Sequence, residues 1–199
     1  MRTTIAALVS AAALLACGAP LAAADGAQGG GADQVVMAST TAGNQTLERS
    51  ALNAVSFGGD TLNNSNLARA DAHDCTGCRS VAVSVQAVFA TGHPHVVTPH
   101  NFAVATNENC TSCLSYAYAY QYALTTDGPV RLTTTGLQQI ASLRWQVAIA
   151  AASGLAPDAL TARLDELTTQ FKTVIDQQLQ AAGRTGQGAE QRQTEQQGA

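Results

Sequence analysis

Two stretches that read almost as one decide the fold: CTGCRSVAVSVQAVFAT at 75–91 and CTSCLSYAYAYQYALTT at 110–126. They begin 35 residues apart, and the likeness reaches back from the cysteines through Asn66-Leu-Ala-Arg-Ala and Asn101-Phe-Ala-Val-Ala. Ten of the 26 positions from 66 to 91 are identical to their partners, beyond coincidence for segments this short even in an Ala-rich chain. After the first Cys-x-x-Cys, Val81, Val83, Val85, Ala87 and Phe89 alternate with Ala82, Ser84, Gln86 and Val88. After the second, Tyr116, Tyr118, Tyr120 and Tyr122 alternate with Ala117, Ala119, Gln121 and Ala123. A period of two is the mark of a strand, and Gly92 and Asp127-Gly128-Pro129 supply the stops. Each unit therefore reads as strand, cysteine turn, strand. The expected fold class is α+β, with a small antiparallel sheet built from two repeated Cys-turn hairpins in a domain at 60–130.

Beyond this core, two helical segments are expected at 131–183. Leu137, Ile140, Ala141, Arg144, Val147, Ala148 and Ala151 recur at helical spacing before Ser153-Gly154. Pro157-Asp158 then opens a second segment, in which Leu160, Leu164, Leu167, Phe171, Val174 and Gln178 form a stripe that stops at Gly183. The spacing predicts a helical hairpin packed on the sheet. The single Trp145 is expected to anchor the core, and the Ala-rich strand face is expected to let the helices approach closely. Residues 25–59, with Gly29-Gly30-Gly31 and Gly58-Gly59, read as a flexible linker with at most one short strand. Residues 184–199 hold Gln, Gly and charge without a large apolar side chain and are expected to be disordered.

Residues 1–24 read as an export signal. Arg2 precedes an apolar run from Ile5 to Ala16, and Ala22-Ala23-Ala24 offers a small-residue cleavage site before Asp25. A second reading takes Leu14-Leu15-Ala16-Cys17 as a lipobox, with Cys17 carrying lipid and the protein anchored to the membrane surface. Either route places the protein outside the cytoplasm, secreted or in the cell envelope. The apolar run is shorter than the roughly 20 residues a spanning helix needs, so no transmembrane span is expected in the mature chain. The 199-residue chain is 12% charged with a net charge of -4, which becomes -5 once Arg2 is removed. Without a basic block, a nucleic-acid partner is not expected.

Cleavage by either route leaves four cysteines for pairing, an even number suited to an oxidising compartment: Cys75, Cys78, Cys110 and Cys113. Disulfides are the leading reading. Duplication favours a bond within each unit. Pairing between units stays open, and would close a loop of more than thirty residues, stabilising by roughly 3–4 kcal/mol. The same four sulfurs could instead hold zinc as a tetrathiolate or serve thiol-disulfide exchange. The strand pattern after each pair removes the helix dipole that usually activates a redox Cys-x-x-Cys. His93, His95 and His100 cluster between the repeats and are alternative metal ligands, although Pro94 and Pro99 mark that stretch as a connection. The leading expectation is no metal and no cofactor.

The cysteine unit resembles a domain of unknown function in actinobacterial secreted proteins, also found in exported regions attached to peptide zinc metalloprotease-like proteins. The resemblance covers about residues 50 to 126. It rests on the Asn-x-Ala-x-Ala lead-in, the paired Cys-x-x-Cys and the Tyr-Ala-Tyr-Gln-Tyr run from Tyr118 to Tyr122. It implies export but carries no peptidase activity over, because the chain has no His-Glu-x-x-His motif.

The stripe of Tyr116, Tyr118, Tyr120 and Tyr122 contains every tyrosine in the chain. It reads first as cross-strand packing and second as a candidate ligand-binding platform. Gln86 and Gln121 occupy equivalent mid-strand sites and are expected to hydrogen-bond to each other. No Gly-x-Ser-x-Gly turn or triad spacing is present, so an enzyme is not expected. The functional expectation is a noncatalytic binding or structural module for an unknown protein or cell-envelope partner. Its alternative is an extracytoplasmic metal-binding or redox protein using the two cysteine pairs.

Overall fold

The computed structural model describes residues 33–92, 94–181, 183 and 186–198. The signal-sequence reading of 1–24, Cys17 and His93 lie outside the described residues. In chain order the elements are β1 (Gln34–Thr40), β2 (Thr46–Gly58), β3 (Thr61–His73), β4 (Arg79–Thr91), β5 (Val96–Glu108), β6 (Leu114–Thr126), α1 (Thr134–Ala151), α2 (Pro157–Ala181) and β7 (Gly186–Gly198). The strands form two sheets, one ordered β1-β3-β5 and the other β2-β4-β6-β7. Every neighbouring pair is parallel except β6 with β7.

Successive strands alternate between the two sheets, so the chain winds as a two-sided parallel solenoid of three coils. This corrects the antiparallel hairpins. β3 before the first cysteine turn and β4 after it belong to different sheets, and the turn is a corner between layers. The offset of 35 between repeats is the step from the second coil to the third, as the pairing of Thr61 with Val96 and of Arg79 with Leu114 shows. Ser80 therefore stacks on Ser115, Gln86 on Gln121 and Asn66 on Asn101. Alternation along a strand is the same in a hairpin and in a solenoid, so period two alone does not separate them.

Two further expectations are revised. The stretch read as a linker at 25–59 contains β1 and β2, which make up the first coil. Here Ala42 and Gln45 stand at the positions of Cys75 and Cys78, as the pairing of Thr46 with Arg79 shows. The tail read as disordered forms β7, antiparallel to β6. Its glutamines do what apolar side chains could not. Gln193 Oε1 accepts from the Ala103 backbone N–H at 3.3 Å, and Gln197 Oε1 accepts from that of Asn107 at 2.6 Å. β7 thus extends one sheet with its backbone and satisfies the open edge of the other with its side chains, closing this end of the solenoid.

The helical hairpin is present at Thr134–Ala151 and Pro157–Ala181. The α2 stripe of Leu160, Leu164, Leu167, Phe171, Val174 and Gln178 is buried as the spacing predicts. α1 starts on an N-cap, with Thr133 Oγ1 accepting from Gly136 N at 3.1 Å. It lies beside β2, where Arg144 Nε donates to the Leu52 carbonyl at 3.0 Å. Trp145 departs from its expected role: it points outward and is 68% exposed.

The four-stranded sheet is covered on both sides. Its Val81, Val83, Val85, Phe89, Tyr116, Tyr118, Tyr120 and Leu124 face the helices, in one cluster with Leu143, Val147, Leu164 and Phe171. The Ala-rich face turns to the other sheet, not the helices: Ala82, Ala117 and Ala119 meet Val36, Ala38, Ala68, Ala70, Ala103 and Ala105. Small side chains let the two sheets approach closely.

That seam also contains amides. In register across the three-stranded sheet lie Gln34, Asn66 and Asn101, and across the four-stranded sheet Asn53, Gln86, Gln121 and Gln191. Asn66 Nδ2 donates to Asn101 Oδ1 at 2.7 Å, to the Tyr120 carbonyl at 3.0 Å and to the Ser84 carbonyl at 3.2 Å. Asn101 Nδ2 donates to the Ala119 carbonyl at 2.9 Å. Gln121 Nε2 donates to Gln86 Oε1 at 3.1 Å, as expected for the repeat pair, and also to Asn64 Oδ1. A buried amide costs stability unless its partners are supplied, and stacking like on like supplies most of them, leaving Gln121 Oε1 without one among the described residues.

Candidate functional site

The sharpest local chemistry lies at the corner that joins β3 to β4 and β5 to β6. Each corner needs two residues in the left-handed region: Asp74 (φ 49°) and Gly77 (φ 66°) in one coil, Asn109 (φ 49°) and Ser112 (φ 55°) in the next. Gly77 adopts this conformation without a Cβ penalty, and the short polar side chains of Asp74 and Asn109 tolerate it. At Gly77 an added Cβ would lie 2.6 Å from Asn44 Oδ1 of the first coil, so a larger residue there would displace that side chain.

Cys75 pairs with Cys78 and Cys110 with Cys113, each pair within its own turn. Parallel stacking then lays one pair against the other. Cys75 Sγ lies 3.3 Å from Cys110 Sγ and 3.8 Å from Cys113 Sγ. Cys75, Cys78 and Cys113 are buried against Ala72, and Cys110 is partly exposed. Backbone bonds fix the stack independently of the sulfurs. Thr111 N donates to the Cys75 carbonyl at 3.1 Å, Gly77 N to the Thr111 carbonyl at 2.9 Å and Leu114 N to the Cys78 carbonyl at 2.9 Å. Asn109 Nδ2 reaches Asp74 Oδ1 at 3.0 Å.

Neither His95 nor His100 joins the sulfurs. Cys75, Cys110 and Cys113 form the one group of metal-ligating side chains of suitable spacing among the described residues. His95 follows β4 at the opposite corner, where its N–H bonds the Asp60 carbonyl at 2.8 Å. His100 stacks on Phe102, with ring centroids 5.9 Å apart.

The tyrosine stripe, the candidate platform, is covered by α2. Tyr116, Tyr118 and Tyr120 are fully buried. Tyr118 donates to Asp165 Oδ1 at 2.8 Å, Tyr122 donates to Asp176 Oδ1 at 2.8 Å, and the Tyr116 and Thr161 hydroxyls hydrogen-bond at 2.9 Å. Arg192 of β7 pairs with the same Asp165 at 3.3 Å and lies 5.4 Å from the centre of the Tyr120 ring. Burial pushes the Tyr116 hydroxyl up to about 12. It moves Tyr118 and Tyr120 further in the same direction, with hydrogen bonding to Asp165 adding to the rise at Tyr118. The tyrosines are the hydroxyl-bearing half of the helix contact.

One surface stands out that the sequence reading did not single out. The outer face of the three-stranded sheet has no covering layer among the described residues. Across it run Val35, Leu67 and Phe102 in one row and Met37, Arg69 and Val104 in the next. Val35 is 57% exposed, Met37 53% and Phe102 46%. Below them Asp71 accepts from Arg69 at 2.7 Å and from Thr106 Oγ1 at 2.5 Å. The signal for this face was the alternation of Val35 and Met37 with Val36 and Ala38, which lay inside the presumed linker. Two shallow depressions, of about 340 and 210 Å³, are lined by Val97, Pro99 and Ala123 and by Gln139, Gln146 and Gln170 among others, with no titratable side chain in either. No described helix is long and apolar enough to cross a membrane. Comparison of the chain with family models, curated proteins and solved structures returns no match.

Proposed function

We propose that this protein is an exported, noncatalytic binding module whose solenoid, stapled at one corner by two stacked disulfides, presents the outer face of its three-stranded sheet to a cell-envelope partner. The observation that supports this reading most strongly is the asymmetry of the two sheets. One has its outer face covered by a helical hairpin. The other leaves Val35, Leu67 and Phe102 in one uncovered row, with Met37 and Val104 on either side of Arg69 in the next and His100 beside Phe102. A monomeric domain seldom leaves such a contiguous apolar row on a rigid sheet, and aromatic residues beside a cation are common anchors at interfaces. The signal sequence and the resemblance to actinobacterial secreted domains add the compartment. Secretion into an oxidising space suits the paired cysteines.

The test is retention of the mature protein on isolated cell envelopes from the producing organism. Replacing Phe102 by Ser removes the aromatic anchor and is expected to weaken retention about 30-fold, the effect of a hot spot of about 2 kcal/mol. Trp145→Ser, on the helix side, is expected to leave retention unchanged. Equal retention of wild type and F102S, with both folded, would refute this face as the binding surface.

A further inference from the structure

We infer that the stacked cysteine corner is a reductively opened metal site, in which the four sulfurs that form two disulfides when oxidised hold one Zn²⁺ as a tetrathiolate when reduced. This inference is independent of the binding face, which lies on a different layer.

The geometry carries it. A tetrahedral zinc thiolate with bonds of about 2.3 Å has edges between sulfurs of about 3.8 Å. The contacts between coils are already close to that edge, at 3.3 Å from Cys75 to Cys110 and 3.8 Å from Cys75 to Cys113. All three Sγ atoms lie within 4.8 Å of one another; Cys78 lies outside that group, its Sγ 3.1 Å from the Ala42 carbonyl, and supplies the fourth thiolate by turning toward the other three once its bond to Cys75 is opened. A disulfide staple in each turn does not by itself require the two turns to bring their sulfurs together. Here they converge because the parallel register stacks one Cys-x-x-Cys on the other.

The corner is also held in place without its sulfur bonds. Backbone hydrogen bonds run from coil to coil through Thr111, Gly77 and Leu114. Opening the disulfides therefore leaves the donors near their positions, so little ordering entropy opposes binding. Ala72 and the buried cysteines form an apolar cluster, which suits soft thiolate ligands and a d¹⁰ cation. In the first coil Ala42 and Gln45 replace the cysteines, so the cluster ends at four sulfurs and has room for one metal per chain.

Reduction has an entry point. Cys110 is the one partly exposed member of the four. A thiolate of an external dithiol attacks Cys110 Sγ, the Cys110–Cys113 bond breaks and Cys113 leaves as a thiolate. The second thiol of the reagent then displaces Cys110 and closes the reagent as a cyclic disulfide. Cys110, 3.3 Å from Cys75, next attacks Cys75 and frees Cys78. A second dithiol resolves the Cys75–Cys110 bond in the same way. Two dithiols supply four electrons and four protons, giving four thiols and two oxidised reagents. Zn²⁺ then displaces four protons as the thiolates coordinate it.

The experiment uses the mature chain, oxidised or reduced anaerobically with a dithiol and desalted, and titrates it with Co²⁺. The reduced protein is expected to take up one Co²⁺ with the absorption of a tetrahedral thiolate site, and Zn²⁺ is expected to displace it. The oxidised protein is expected to take up none. The double variant Cys110→Ser, Cys113→Ser is expected to lose at least about 100-fold in affinity, because two of four thiolates are gone. If the reduced apoprotein proves unfolded by circular dichroism, recovery of the oxidised spectrum on adding Zn²⁺ supports the site, and no recovery overturns it. No thiolate spectrum in a folded reduced protein, two metals per chain, or unchanged affinity in the double variant would also overturn it.

Discussion

The two faces of β4 and β6 are both buried, yet by opposite chemistry. Toward the helices they present Val81, Val83, Val85, Tyr116, Tyr118 and Tyr120, large side chains that meet Leu and Phe from α2. Toward the other sheet they present Ala82, Ala117 and Ala119 with Gln86 and Gln121, small residues and amides. The first layer buries most of the large apolar side chains and depends on volume. The second buries little area per residue but holds the coils in register, because an amide shifted by one position would face a strand with no partner for it. Strength and register are thus divided between the two sides of one sheet.

Substitutions on the two sides should differ in kind as well as in size. The largest effect is expected from Phe171→Ala in the helix layer, which opens a cavity costing about 3–5 kcal/mol in chemical denaturation. It should speed hydrogen exchange in α2 while leaving the amides of β3 and β5 protected. Asn66→Ala in the seam is expected to cost less, about 2–3 kcal/mol, by removing three donated hydrogen bonds. It should loosen β3, β5 and β6 together. Uniform loss of protection in both variants would mean that the two layers are a single cooperative unit and that the division does not hold.

Smaller effects sharpen the same contrast. Tyr118→Phe removes the hydroxyl donated to Asp165 and is expected to cost about 1–2 kcal/mol. The raised tyrosines also set a pH limit on the helix layer. Their folded values lie above the ordinary value of 10, so their contribution is complete below pH 10 and is lost as pH rises from there, through about 12 for Tyr116. Tyrosinate absorbance should therefore lag behind free tyrosine and appear together with release of the helices, and Tyr118→Phe should make the alkaline loss less steep. The smallest change is expected from Trp145→Ser, within about 0.5 kcal/mol in the same denaturation assay, since the indole is exposed.

What could be read from the chain follows the same division. The α2 stripe from Leu160 to Gln178 was legible because a helix exposes its burial as a simple spacing. The duplicated unit and the Gln86–Gln121 pair were legible because identity at an offset of 35 survives in the residues themselves. Which strands pair was not, since period two says which side chains share a face and nothing about the direction of the neighbour. The first coil was hidden because Ala42 and Gln45 stand where the cysteines stand in later coils. β7 was hidden because Gln193 and Gln197 act by hydrogen bonding to a sheet edge, which an apolar count does not register. The uncovered face followed from the same omission, since one of its three strands is β1.

The account rests on parallel stacking of successive coils, and nuclear Overhauser contacts in isotopically labelled mature protein test that most directly. The account predicts contacts between backbone amide and Hα protons of residues paired across 79–91 and 114–126, such as Ala82 with Ala117 and its neighbours. It also predicts Hα–Hα contacts, the mark of antiparallel pairing, between 114–126 and 186–198. A ladder of Hα–Hα contacts joining 61–73 to 79–91 would instead make each cysteine turn a hairpin and contradict the solenoid.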